Sequence, residues 1–377
     1  MRYSAAMSAS VLVCLLALSS QTKYSVPLQV SVRSDTPIMP MFHQARAYVA
    51  YELEMVNYDP TPAHLTKISV TDEKGKPIQS FSGQSLRDCL KSIGGEENAD
   101  PTTLEPGRMT VAFLWLSFPS SAIPKKLGHM LTFNREGVGP PTVSSALLPI
   151  SEKRGVIVQP PLEGTNWIAC TGPSNTSAHR RARMSLYGHA AIGQRFAIDW
   201  LKVDGEGRTF KGPEDRNESY FAYGKNVLAC ADAMVVEVVD GLKENVPHGE
   251  EIAVVITPRT LPGNHVILDL GHGLFAAYAH MIPGSIRVKE GQRVKVGQVL
   301  GKLGNSGNSA EPHLHFQIMN APNFVAAEGL PFGHPLLTIQ PTEVTAENNN
   351  LLFKLMGKRV RIRNQMPLEN DWVAFPK

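Results

Sequence analysis

The sequence predicts a mostly β protein built on two cores. Runs of strand length, alternating or rich in β-branched residues, recur along the chain between Gly- and Pro-bearing turns. Helical periodicity is nearly confined to residues 85–93. A chain of 377 residues is also long for one domain and comfortable for two. The first set of runs has the spacing of an immunoglobulin-like β-sandwich, and the second set suggests a compact antiparallel β-sheet domain.

The elements follow in chain order. Residues 1–20 read as a signal peptide: Arg2, an apolar run over 11–18, then small residues at Ala17, Ser19 and Ser20. That run is too short to span a bilayer comfortably. The expectation is cleavage, export to the periplasm or medium, and no membrane span left behind. Cys14 lies inside the run without the approach of a lipidated cysteine. An accessory sandwich over 24–150 rests on runs at 26–32, 47–56, 65–70 and 109–118, with a charged hairpin turn at 72–77. It holds no cluster of His, Cys and carboxylate, which leaves it a packing or recognition role. Paired prolines at 140–141 and 160–161, with Gly164, mark the boundary. Further runs at 227–239, 252–256, 264–270, 274–280, 293–303 and 313–319 define the second domain, 151–337. An extension, 338–377, mixes a short helix with a final Val-Arg-Ile-Arg strand.

Composition excludes some classes of function. A hydrophobic fraction of 42% with 19% charged residues excludes wholesale disorder. A net charge of +3, with no basic run interleaved with aromatics, gives nucleic acid no footing. Cys89, Cys170 and Cys230 remain after signal removal and allow at most one internal disulfide. Cys170 with Cys230 is the first candidate, because both fall in the second domain.

The strongest chemical signal is Pro312-His313-Leu314-His315-Phe316. In a strand, residues i and i+2 project from one face, about 6.5–7 Å apart. Two imidazoles therefore leave an apolar strand together. One can ligate a metal while the other handles a proton, or both can ligate. Tyr278-Ala279-His280 closes another strand, and Gln194-Arg195-Phe196-Ala197-Ile198-Asp199-Trp200 places one carboxylate in an apolar segment. A buried Asp is costly unless it is paired, hydrogen-bonded or coordinated. Other histidines carry less. His265 and His272 flank the strand at 266–270 as exposed turn residues, and His43, His64, His129, His248 and His334 show no partner pattern. Asn264 and Tyr223 are candidates to line a cleft, and the acidic stretch 204–219 reads as a solvated loop.

From about residue 164 to 321 the chain resembles the lysostaphin-type (LytM-like) zinc metallopeptidases. The resemblance rests on Ala197-Ile198-Asp199, on Val227-Leu228-Ala229 followed by Ala231-Asp232-Ala233-Met234-Val235-Val236, on Tyr278-Ala279-His280, on 288–304 and on His313-Leu314-His315, in matching order and spacing. It implies an endopeptidase acting on peptide bridges of cell-wall peptidoglycan, with Zn2+ as cofactor. Asp199 and His315 would be zinc ligands. His280 and His313 would be the catalytic residues, polarising a zinc-activated water and stabilising the oxyanion. Three protein ligands leave a fourth tetrahedral position for water, whose pKa falls towards about 7.

One position departs from the family. Its first ligand usually stands four residues before the Asp, where this chain has Arg195. A guanidinium stays protonated and cannot ligate zinc. The first ligand is then His179, in Asn175-Thr176-Ser177-Ala178-His179-Arg180-Arg181, or His189, in Tyr187-Gly188-His189-Ala190. His179 is preferred because it falls in a segment shared with the resembling subgroup. Arg195 either pairs with an acid or binds a substrate carboxylate, and no substrate-binding residue is assigned. Two rival readings stand beside the peptidase. A degenerate member would bind cell wall or a protein partner without cutting; Arg195 favours it, while His280, His313, His315 and Asp199 oppose it. A lipoyl- or biotinyl-carrier module would suit the hairpins of 288–304, but residues 231–236 offer no lysine to modify.

Overall fold

The computed structural model describes residues 30–33, 38–94, 99–134, 142–347 and 350–376. The signal segment 1–20, Cys14, most of the run at 26–32 and the prolines at 140–141 lie outside them. The protein is mostly β, in antiparallel sheets. Among the described residues, no helix is long and apolar enough to cross a membrane.

The N-terminal lobe is two sheets on one core. Strands Arg46–Asn57 and Met109–Pro119 pair along their whole length at the centre of the first sheet, and Ala63–Asp72 pairs with Lys126–Asn134 in the second. Val49, Tyr51, Leu53 and Met55 alternate inward from the first and meet Leu65, Ile68, Val70, Leu131 and Phe133 of the second. That is the period-2 burial of a sandwich. The turn at 72–77 is a hairpin, closed by the Asp72 amide on the Lys76 carbonyl at 3.0 Å. Helix Gly83–Cys89 supplies the first part of the helical stretch expected at 85–93, and Leu90–Ile93 forms a strand instead. The first sheet is also covered on its outer face. There Ala50, Glu52 and Glu54 are buried, and Val111 and Phe113 pack on Ile192 of the second lobe.

The second lobe is one large sheet. Its central order runs Ala233–Val239, Asn264–Gly271, Leu274–Met281, Leu314–Met319, Ile198–Lys202, Trp167–Cys170, Trp372–Ala374 and Leu337–Gln340. Residues from 338 onward are therefore woven into it: Trp372–Ala374 pairs directly with Trp167–Cys170, and Val360–Ile362 pairs with Leu337–Gln340. The short helix expected in this tail is replaced, among the described residues, by the hairpin of Thr342–Glu347 with Asn350–Leu355. Phe353 from that hairpin is buried against Leu201 and Trp372.

Three expected strands are revised. The run 227–239 is two strands, Asn226–Leu228 and Ala233–Val239, in which Asn226–Leu228 leaves the main sheet to pair with Val299–Lys302. The run 293–303 splits at Gly297, whose φ of +79° turns its amide onto the Ala229 carbonyl at 2.8 Å. Residues 252–256 form no strand. Val255 is 82% exposed and, among the described residues, 252–256 pair with no strand, so apolar composition alone did not make one. Cys89, Cys170 and Cys230 are free thiols, so the candidate Cys170–Cys230 disulfide is absent. Cys230 is sealed in the core, its amide held by the Tyr278 hydroxyl.

Candidate metal centre

The sheet order places the chemistry. Asp199 lies directly across from His315, and His315 in turn lies across from Ala279. His313 immediately precedes the strand Leu314–Met319, so His313, His315 and Gln317 leave one face in sequence. His280 is the penultimate residue of the neighbouring strand and sits at a bulge, with a left-handed φ of +64°. The Pro262 carbonyl (2.9 Å) takes its amide, and the bulge aims its ring back across the sheet. His179 arrives from outside the sheet, on the one-turn helix Ala178–Arg181.

These five side chains converge on an open cleft of about 520 Å³. His179 Nε2 lies 3.3 Å from Asp199 Oδ2, His313 Nε2 3.3 Å from Oδ1, and His315 Nδ1 2.9 Å from Oδ1. Ring centroids are 4.6 Å apart for His179 and His315 and 4.7 Å for His280 and His313. One donor atom each from His179, Asp199 and His315 fits within 4.8 Å. His189 is exposed on the short strand His189–Ala191 and takes no part.

The hydrogen bonds around the cluster fix its protons. Gln317 Nε2 donates to the Phe324 carbonyl at 3.1 Å, which turns Oε1 onto His315 Nε2 at 2.9 Å. An amide oxygen only accepts, so His315 Nε2 carries the hydrogen. In the neutral ring Nδ1 then presents a lone pair to a carboxylate oxygen 2.9 Å away. Two acceptors facing each other call for a cation, and a His, Asp, His set is a fitting donor set for zinc. His280 Nδ1 donates to the Ser306 carbonyl (2.7 Å) and His313 Nδ1 to the Glu311 carbonyl (2.8 Å), so each directs Nε2 into the cleft.

Electrostatics describe the same demand for positive charge. Burial alone would raise the Asp199 carboxyl, yet His179 and His313 beside it hold it well below the ordinary range. Burial pushes His179 down to about 4, and burial with the neighbouring imidazoles pushes His280 well below its usual value. His313 would also fall on burial, but Asp199 outweighs that and raises it. Cys170 borders the cleft as a thiol, pushed up to about 12 by burial.

Arg195 resolves as a structural residue. It is buried, with Nη1 on Glu52 at 2.5 Å and Nε on Glu328 at 2.7 Å. Asn264 is a buried brace between the Leu242 and Met281 carbonyls, and Tyr223 donates to Glu244; neither lines the Asp199 cleft. His265 is buried, its Nδ1 on the Gly263 carbonyl at 2.7 Å, whereas His272 is the exposed turn residue expected. Sequence reasoning missed Gln317 and Glu311. Gln317 was signalled by extending the His313, His315 alternation one step. Glu311 stands one step before the same alternation; it lines the cleft and accepts from Thr209, of the 204–219 loop, at 3.1 Å.

Residues 219–327 match peptidase family M23, a stretch that holds His280, His313 and His315 but starts after His179 and Asp199. Over 71 residues the chain is 34% identical to the peptidoglycan DD-endopeptidase ShyA of Vibrio cholerae, covering 19% of this chain and 16% of ShyA. It is 35% identical over 112 residues to the cell division protein DipM of Caulobacter vibrioides, covering 30% of this chain and 16% of DipM. The glycyl-glycine endopeptidase ALE-1 of Staphylococcus capitis is 44% identical over 73 residues, covering 19% of this chain and 20% of ALE-1. This chain therefore spans a fifth or less of these three relatives.

Proposed function

We propose that the chain carries a lysostaphin-type domain of peptidase family M23, a reading supported by the match over residues 219–327, and that the protein is an exported zinc metalloendopeptidase acting on peptide bonds of peptidoglycan cross-links. The observation that carries this reading is the lone pair of His315 Nδ1 turned towards Asp199, with His179 closing the third side. His179, Asp199 and His315 would hold the ion. Zinc, when bound, supplies a Lewis acid that acidifies water and polarises a carbonyl.

The chain's own residues do the rest. His280 and His313 point Nε2 into the cleft from rings anchored through Nδ1, so either can take a proton from water and return it to the leaving amine. Ser309 Oγ, 3.2 Å from His313 Nδ1, braces that ring. Export rests on the apolar run and small residues of the first twenty positions, and the substrate class on what ShyA and ALE-1 are named for. His179 Nε2 at 3.3 Å from Asp199 Oδ2 supports the cutting reading over the non-cutting one, whose main support was Arg195.

The test is metal analysis and digestion of purified peptidoglycan by the signal-free protein. Close to one zinc per chain and conversion of cross-linked to uncross-linked muropeptides are expected, and Asp199→Ala or His315→Ala should abolish both. A wild-type protein that holds zinc yet leaves cross-links intact would restore the binding reading.

A further inference from the structure

His179 stands on a single helical turn, far too short to hold itself in place. Besides bonds within its own segment, what holds it comes from the other lobe. Arg180, beside it, has no solvent exposure. Its Nη1 donates to Glu52 of the sandwich, and its Nη2 donates to the Tyr51 carbonyl at 2.9 Å. Arg180 and Arg181 both lie over the ring of Phe113, at 5.0 and 4.6 Å. Asn175 Nδ2 donates to the Phe113 carbonyl at 3.1 Å, and Arg181 Nη2 to the Asp88 carbonyl at 2.7 Å. Glu52 has a second partner, Arg195, four residues before Asp199. One carboxylate of the sandwich therefore ties together the segment that brings His179 and the segment that leads into Asp199.

We propose that the N-terminal sandwich completes the metal site, with Glu52 as the positioning residue that sets His179 against Asp199 through Arg180 and Arg195. The proposal rests on the metallopeptidase reading above. Glu52 touches neither metal nor substrate; it fixes the geometry of a ligand. Without its charge, the buried Arg180 guanidinium is left with backbone carbonyls as its partners, and water becomes the better environment for it. Arg180 can reach water only by carrying the helical turn, and His179 with it, away from the cleft. Arg195 keeps Glu328, so the Asp199 side holds. The usual first-ligand position is filled by an arginine that serves this tie, and the ligand comes instead from a segment that the N-terminal sandwich anchors.

The experiment uses the signal-free full chain, chelated and then titrated with zinc alone. It compares wild type with Glu52→Gln, Glu52→Asp and Glu328→Gln. Hydrogen exchange in the metal-free protein reads the turn directly, because the Arg181 and Ala182 amides close it onto the Ser177 and His179 carbonyls. Glu52→Gln should speed exchange at these two amides about tenfold or more, leave Leu314–Met319 protected, and weaken zinc binding about 10- to 100-fold. Glu52→Asp keeps the charge on a shorter arm and should give a smaller loss of both, which covers the case where the glutamine variant does not fold. Glu328→Gln, which leaves Arg180 tied to Glu52, should leave the turn's exchange unchanged and zinc affinity within about threefold. Unchanged exchange or zinc affinity within about threefold in Glu52→Gln overturns the proposal while the peptidase reading stands. A wild type that binds no zinc, together with a loosened turn in Glu52→Gln, sinks the peptidase reading and leaves the placement of His179 by Glu52 standing.

Discussion

Glu52 and Asp199 are both carboxylates on apolar strands, the first buried and the second half-buried on the cleft, and the protein answers them differently. Glu52 meets two guanidiniums, Arg180 and Arg195. Burial would raise its carboxyl, yet the two arginines hold it at about 2. Those cations cannot leave, so the group is satisfied and binds nothing further. Asp199 meets three imidazoles, which are positive only when protonated. Its surroundings change with protons or with an added cation. Fixed charge around a buried acid marks a lock, and conditional charge marks a site.

The widest test of that contrast lies in the two imidazoles assigned to proton handling. His280→Ala or His313→Ala should leave zinc content intact while lowering turnover about 10²- to 10⁴-fold, the usual worth of a positioned acid or base. Loss of metal from His313→Ala would exchange the roles of His313 and His315. On the other side of the comparison, Glu52→Ala strands buried charge and should cost about 3–5 kcal/mol in urea unfolding of the metal-free chain. A cost below about 1 kcal/mol would mean that the arginines are not locked.

Acid should separate the two environments with a smaller effect. Burial holds His129, His179 and His334 at about 4, against an ordinary 6.5. The unfolded chain takes those protons near 6.5 and the native chain only near 4. Metal-free stability therefore falls as pH drops through that window, by about 1.4 kcal/mol per pH unit for each histidine. His313, raised by Asp199, works the other way, its contribution being lost as pH rises. Glu52, at about 2, stays charged throughout, so the lock itself is indifferent. Replacing His129, which sits far from the cleft on the Tyr51 hydroxyl at 2.7 Å, should flatten the profile by one proton. A slope unchanged in that variant contradicts the assignment.

Much of the site was legible because it obeys short-range rules. His313 and His315 share a face by strand period, Asp199 stood out as one acid in an apolar segment, and His280 ended a clear strand. The lock was not legible. Glu52 and Arg180 are 128 positions apart, and Tyr51-Glu52-Leu53-Glu54 reads as ordinary alternation, the same pattern that a solvated face would give. His179 was reached only through resemblance, since nothing local marks a ligand twenty residues before its partner. The fold shows the same division. Long alternating strands such as Arg46–Asn57 were read nearly to their ends, while Trp372–Ala374, three residues long, is defined by the strands on either side of it. The false strand at 252–256 had the composition but, among the described residues, pairs with no strand.

The central claim is that His179 has replaced the missing ligand and that the sandwich presents it. A zinc-edge anomalous diffraction experiment on the signal-free chain tests this most directly. The account predicts one zinc, with His179 Nε2 and His315 Nδ1 about 2.0–2.1 Å away and an Asp199 oxygen completing three protein ligands. Zinc bound by His189 in place of His179, or no ordered zinc in the cleft, would contradict it.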